Sequence, residues 1–223
     1  MTKVIAFDVN ETLLDLRALD PAFEQLLGSA ALRGQWFSQM LQLSFVGGLT
    51  SQYVDFRTAQ RGALAMVAER AGVAISEADV IEMVDRMTSL PPHPEVPAAL
   101  DQLRKTGLKL VALTNSTGEV ADLQLANSGI REFFDDAMSA DAVRALKPAP
   151  EPYLAVAERF GVDISEVRLV AAHSWDITGA LEVGAKAAFI ARGGVVPSPI
   201  GPQPDIIGAD LAEVVGAIIA TDL

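Results

Sequence analysis

Apolar, strand-like runs punctuate the chain at residues 4–7, 108–113, 167–172, 186–190 and 205–207. Between most of them, apolar and polar positions recur with helical spacing. Alternating strands and helices predict a parallel sheet covered by helices on both faces. The expected fold class is therefore α/β, with a Rossmann-like parallel sheet as its core. One interval breaks the alternation. Residues 8–107 lie between the first two runs, too many for a single crossover helix, and this interval reads almost wholly helical.

Local signals set the boundaries. Asp20-Pro21 reads as a cap followed by a first-turn proline. Ser76 with Asp79 is an acidic variant of a capping box ahead of Val80, Ile81, Met83 and Val84. Prolines crowd Leu90-Pro91-Pro92-His93-Pro94, which makes a stiff connector and leaves His93 as linker. The next helix runs from Glu95 to Gly107. Ser116 and Glu119 have the spacing of another capping box, Gly129 suits the end of that helix, and Gly184 suits the end of one starting near Asp176. Residues 193–204 hold three glycines and four prolines and form a surface loop. The expected organisation is a core made of residues 1–15 and 91–223, with residues 16–90 as an inserted helical cap.

Composition narrows the function classes. The 223 residues contain no cysteine, which excludes disulfides, thiolate metal sites and a thiol nucleophile. A net charge of -12 repels phosphate backbones, so no nucleic-acid partner is expected. No apolar run approaches the length of a membrane span, and the amino-terminal residues lack a basic segment followed by an apolar one. A cytoplasmic location and no membrane partner are expected.

The chemistry gathers where strands end. Asp8 closes the first apolar run and meets a turn, which sets its carboxylate at the carboxyl edge of the sheet, where ligands bind in open α/β folds. A carboxylate held there by a rigid strand can act as a nucleophile. Thr114-Asn115-Ser116 follows the second run, Leu146-Lys147-Pro148 comes later, and His173-Ser174-Trp175-Asp176 follows the third. In this order and spacing the chain resembles the haloacid dehalogenase superfamily over its whole length, cap included. Most of that superfamily are magnesium-dependent phosphatases, which need a second Asp two residues after the nucleophile and an Asp four residues before the one matched by Asp176. Asn10 and Ala172 stand there instead. An amide cannot exchange protons near neutral pH, and a methyl group cannot ligate a hard cation.

The remaining pattern resembles the type II 2-haloacid dehalogenases: Lys147, Pro148 and Tyr153, then Trp175, Asp176 and Gly179. The resemblance implies a hydrolase of short 2-haloalkanoates that needs no cofactor or metal. Asp8 would displace halide from C2, and water would cleave the resulting ester. It implies that Lys147 keeps Asp8 ionised, that Thr12 and Thr114 hold substrate or nucleophile, and that Asp176 holds Lys147 or Thr12 in place. Ser174 and Tyr153 would assist, with Asn10 and Asn115 beside the substrate. Partners would be the haloacid, the halide and a second copy of the chain in a homodimer.

Two positions depart from that pattern. Where relatives carry an Arg on the first cap helix to meet the halide, this chain has Phe37. Either Arg33, one turn away, or the aromatic edges of Phe37 and Trp36 could serve. Those aromatics, with Met40, Leu41, Leu43 and Phe45, also form a helical packing stripe. His173 replaces an Asn, and Glu11 lies three residues after the nucleophile. A Glu beside a His raises the imidazole's basicity, so His173 oriented by Glu11 is a candidate for activating the water. A satisfied structural histidine is the competing reading. A magnesium-dependent phosphatase and a non-catalytic carboxylate-binding relative are the alternative functions. Trp175 is expected to wedge into the core.

Overall fold

The structure, a computed structural model, describes residues 1–223. Strands β1 (Val4–Phe7), β2 (Lys109–Thr114), β3 (Asp136–Ser139), β4 (Val167–Ala171), β5 (Lys186–Ile190) and β6 (Ile206–Gly208) form one sheet. Their order is β3-β2-β1-β4-β5-β6, and every pairing is parallel. β1 is central, with Val4 in register with Lys109 on one side and Val167 on the other.

Both faces of β1 are buried, which is why its sequence is continuously apolar rather than alternating. Ile5 and Phe7 enter one core with Leu100 and Leu103 of α5 (Val96–Arg104) and Val214 and Ile218 of α9 (Leu211–Asp222). Val4 and Ala6 enter the other with Val156 of α7 (Pro150–Phe160) and Ile177 of α8 (Ser174–Glu182). Four helices precede α5 in the interval between β1 and β2: α1 (Asp20–Leu27), α2 (Leu32–Leu49), α3 (Phe56–Arg70) and α4 (Glu77–Asp85). Their buried Phe23, Trp36, Met40 and Leu64 continue the first core without a break. No helix is long and apolar enough to cross a membrane.

Some local expectations change. The Ser76–Asp79 capping box forms at the start of α4. Asp20 does not cap α1. It is the first helical residue, and its carboxylate accepts from Arg33 Nε at 2.5 Å. Ser116 and Glu119 make no capping box at α6 (Gly118–Asn127), whose cap residue is Thr117. The Ser116 amide donates to Thr114 Oγ1, and its hydroxyl accepts from Asn10. α5 stops at Arg104, short of Gly107, because the Thr106 hydroxyl turns back to the Leu103 carbonyl. Edge strand β3 was not expected, since Asp-Ala-Met-Ser is only half-buried and carries no apolar run.

Candidate active site

The chain leaves β1 to build β2 and β3 on one side and later returns to build β4, β5 and β6 on the other. The strand order reverses at β1, and a crevice opens outside the carboxyl ends at such a point. Asp8 is the first residue beyond β1, anchored by its amide to the Val170 carbonyl of β4 at 3.0 Å. Thr12 lies in the turn that follows. Thr114, Asn115 and Ser116 come at the end of β2, Lys147 in the segment after β3, and His173 just beyond β4.

These segments build a charge cluster around Asp8, whose residue is 4% exposed. Lys147 is fully buried, and its ammonium donates to Asp8 Oδ1 at 3.0 Å, Asp176 Oδ2 at 2.5 Å and the Leu113 carbonyl at 2.8 Å. All three of its protons are thereby used. Asp8 Oδ2 accepts from Thr12 Oγ1 at 2.6 Å, and Thr12 Oγ1 in turn accepts from the Ala172 amide. Burial alone would raise the Asp8 pKa, but the charge of Lys147 and donation from His173 and Thr12 outweigh it and hold the carboxyl well below its usual range. Burial also opposes a charged Lys147, yet Asp176 and Asp8 raise its pKa. Asp176 moves the other way from Asp8: burial raises it against the pull of Lys147.

His173 and Glu11 meet. His173 Nδ1 lies 3.0 Å from Asp8 Oδ2, and Nε2 lies 3.0 Å from Glu11 Oε2. Both ring nitrogens face carboxylate oxygens, an arrangement that only a doubly protonated imidazole satisfies with two donors. Burial lowers the His173 pKa, but hydrogen bonding and charge from Asp8 and Glu11 push it up to about 9. The ring stacks on Phe37 of α2 and on Trp175 of α8, with centroids 5.5 and 5.2 Å away. Aromatic faces favour the cationic form as well. Glu11 has φ 61, a left-handed conformation that is uncommon for a residue with a side chain.

The other expected residues divide. Tyr153 donates to Asp176 Oδ1 at 2.5 Å and so reaches Lys147 through Asp176. Asn115 clasps the backbone of Lys147, accepting from its amide and donating to its carbonyl. Asn10 bonds Ser116 and Gln124, and Thr114 accepts from the Ser116 amide. Arg33 pairs with Asp20 and, at 3.4 Å, with Glu11. Trp36 is not brought to the site: it is fully buried, donates to the Gln60 carbonyl and packs on Phe23. Ser174 turns outward to the Val196 carbonyl.

Two residues that the sequence placed elsewhere belong here, with a third that it did not single out. Trp175 stacks at the site edge rather than wedging into the core. His93 is no simple linker: it is buried and bonds the Glu11 carbonyl. Arg192 reaches from the segment after β5 to the Thr12 carbonyl and Glu95. Trp175 holds a motif position, but no local spacing marks His93 or Arg192, because both are brought in by tertiary packing. A cavity of about 390 Å³ opens beside Glu11, with Arg33, His93, Ala172, Arg192 and Val195 among its lining residues.

The haloacid dehalogenase-like hydrolase family model matches residues 2–184. An (S)-2-haloacid dehalogenase of Pseudomonas sp. (strain YL) is 30% identical over 91% of this chain and 88% of its own. Haloacetate dehalogenase H-2 of Moraxella sp. (strain B) is 30% identical over 91% of this chain and 92% of its own. A solved L-2-haloacid dehalogenase from Xanthobacter autotrophicus, with chloropropionic acid covalently bound, superposes with TM-score 0.92 at 25% identity, covering all of both chains. With the strand-end carboxylate, the lysine and the parallel sheet in place, the chain belongs to the haloacid dehalogenase-like hydrolases.

Proposed function

We propose that the chain hydrolyses the carbon–halogen bond of short 2-haloalkanoic acids to give 2-hydroxy acids. The observation that carries this is the Asp8 carboxylate: buried, ionised, and held by Lys147, Thr12 and His173. Displacement at carbon needs such a group, stripped of water and fixed in direction. In the first step an Asp8 oxygen attacks C2, the carbon–halogen bond breaks and halide leaves. Oδ1, with one donor against two at Oδ2, has more electron density free for attack. The covalently bound chloropropionic acid in the Xanthobacter relative supports an ester of this kind.

In the second step water attacks the acyl carbon of Asp8. We assign His173, oriented by Glu11, to activate that water. At rest the imidazolium has no lone pair to offer. Once Asp8 is an ester its negative charge is gone, support for the imidazolium weakens, and its proton can pass toward Glu11 and solvent. Neutral His173 then takes a proton from water, and the collapsing intermediate returns the Asp8 carboxylate and expels the hydroxy acid. Each cycle consumes one water and releases one proton and one halide. Lys147, Asp176, Tyr153 and Asn115 hold the nucleophile's counter-charge in place, and Phe37 and Trp175 shape the pocket around His173.

The phosphatase alternative is disfavoured at two positions. The Asn10 amide is engaged by Ser116 and Gln124, and Ala172 offers only its backbone amide, which goes to Thr12. We further propose that residues 16–90 act as a cap over a core of residues 1–15 and 91–223, since Phe37 and Phe45 of α2 reach His173 and Trp175. A cytoplasmic homodimer remains our expectation from the family. Val46 and Leu49 at the end of α2 offer exposed apolar surface for it.

The test is halide release from both enantiomers of 2-chloropropionate with a chelator present, followed by mass spectrometry of the protein. The expected result is chelator-resistant release that Asp8→Asn abolishes, and an ester on Asp8 that His173→Asn traps. Full turnover by His173→Asn with no trapped ester would remove the water-activating role.

A further inference from the structure

We infer that His93 is a positioning residue for the hydrolytic step: its ring holds the Glu11 backbone in the conformation that aims the Glu11 carboxylate at His173. The inference rests on the proposal that His173 and Glu11 activate water, and it assigns how this sequence sustains that pair.

Glu11 pairs its own amide with the Leu14 carbonyl at 2.9 Å and sits at φ 61. A left-handed residue with a side chain persists only when its surroundings hold it there. The carbonyl of Glu11 is the group that must be held from the other side, and His93 Nε2 lies 3.2 Å from it. A carbonyl can only accept, so Nε2 carries the proton and donates. The connector makes His93 a firm post. Its amide donates to the Leu13 carbonyl at 2.9 Å, and its carbonyl accepts from Val96 at the start of α5. The Asp15 amide donates to the Pro91 carbonyl at 2.8 Å. The turn that carries Glu11 is thus fastened to the connector at three points, and the His93 ring is the one that touches Glu11 itself.

The charged groups around the ring fit this tautomer. Asp15 Oδ2 lies 3.9 Å from Nδ1, beyond a normal hydrogen bond. Arg192 faces the ring from the segment after β5, and Glu95 from the end of the connector. Burial and the Arg192 charge hold His93 below the usual histidine range against Asp15 and Glu95. The ring is therefore neutral at physiological pH and donates through Nε2.

The experiment uses single-turnover rapid quench, reading halide release for ester formation and mass spectrometry of Asp8 for ester breakdown. His93→Phe keeps a buried ring without the donor, and His93→Gln restores an amide donor of similar reach. Expected for His93→Phe is an unchanged halide burst with ester breakdown slowed roughly tenfold, the order of one lost hydrogen bond, and His93→Gln recovers most of that loss. If His93→Phe does not fold, His93→Asn, whose amide falls short of the Glu11 carbonyl, takes its place. A cycle with Glu11→Gln reads the coupling: once Glu11 has lost its charge, removing the His93 donor should cost little more. Equal slowing of both steps in His93→Phe, or no rescue by Gln, overturns the inference in favour of general disruption. Normal ester breakdown in His93→Phe while Glu11→Gln traps ester overturns it and leaves the His173–Glu11 pair standing. Normal breakdown in Glu11→Gln and His173→Asn removes the pair, and with it this role.

Discussion

His173 is the residue at which chemistry and stability are most directly linked. Its folded pKa of about 9 lies above the model-peptide value of 6.5. A group raised on folding contributes stability that is fully present below the unfolded value and is lost as pH rises through the folded one. The window here runs from 6.5 to about 9, and the contribution is about 3 kcal/mol at its fullest. The melting temperature of the protein should therefore exceed that of His173→Asn at pH 6, with the gap closing by pH 9.5. A gap independent of pH would mean the ring is neutral in the resting protein. Sequence alone could pair His173 with Glu11 as base and orienter, because both fall at one sheet edge. It could not show Asp8 on the far ring nitrogen, since that contact depends on the turn conformation at Glu11, which no residue preference announces. The same reason hid His93.

Elements carry a second constraint, at the packing of α8 on the segment around Lys147. A Cβ on Gly179 of α8 would stand 2.7 Å from Pro148 Cβ, 2.7 Å from Tyr153 Oη and 2.8 Å from the Pro148 carbonyl. Helix and loop approach that closely so that Tyr153 can reach Asp176. Gly179→Ala should cost about 1–3 kcal/mol from overpacking, read by denaturant midpoint, and should lower kcat by shifting Tyr153 and Asp176 away from Lys147. Unchanged stability with unchanged activity would show that the loop yields freely. The glycine was legible as part of a motif, but its reason is steric and visible only once α7 and α8 are packed. Strand β3 illustrates the opposite limit. Asp136 and Ser139 flank only two apolar residues, and an edge position half-buried on the sheet needs no more than that. The five strands and the inserted helices were readable because their burial is two-sided or strongly periodic.

At the scale of the whole molecule, the opposite edge of the sheet is tied by ions. Arg168 of β4 is fully buried and bonds Asp222 at the end of α9 through Nε at 2.6 Å and Nη2 at 3.1 Å, as well as Asp205 and the Ala187 carbonyl. Lys186 adds a contact to Asp222 at 3.1 Å. Removing Asp222 strips the buried Arg168 of one of its two carboxylates while Asp205 stays paired, so Asp222→Ala should cost about 2–3 kcal/mol, the order of lost hydrogen bonds to a charged group, measured by chemical denaturation. Halide release per folded molecule should be unchanged, because the network lies at the amino edge and the chemistry at the carboxyl edge. Loss of turnover in fully folded Asp222→Ala would show that the two edges communicate.

The central place of β1 has a consequence for how the protein is made. The strand that delivers the nucleophile is made well before its ladder neighbours at Lys109 and Val167. Contacts so distant in sequence close slowly, and a nascent chain halted before β4 leaves one side of that strand open to wrong pairing. Refolding should thus be sensitive to protein concentration, and activity should return only with the last of the central strands.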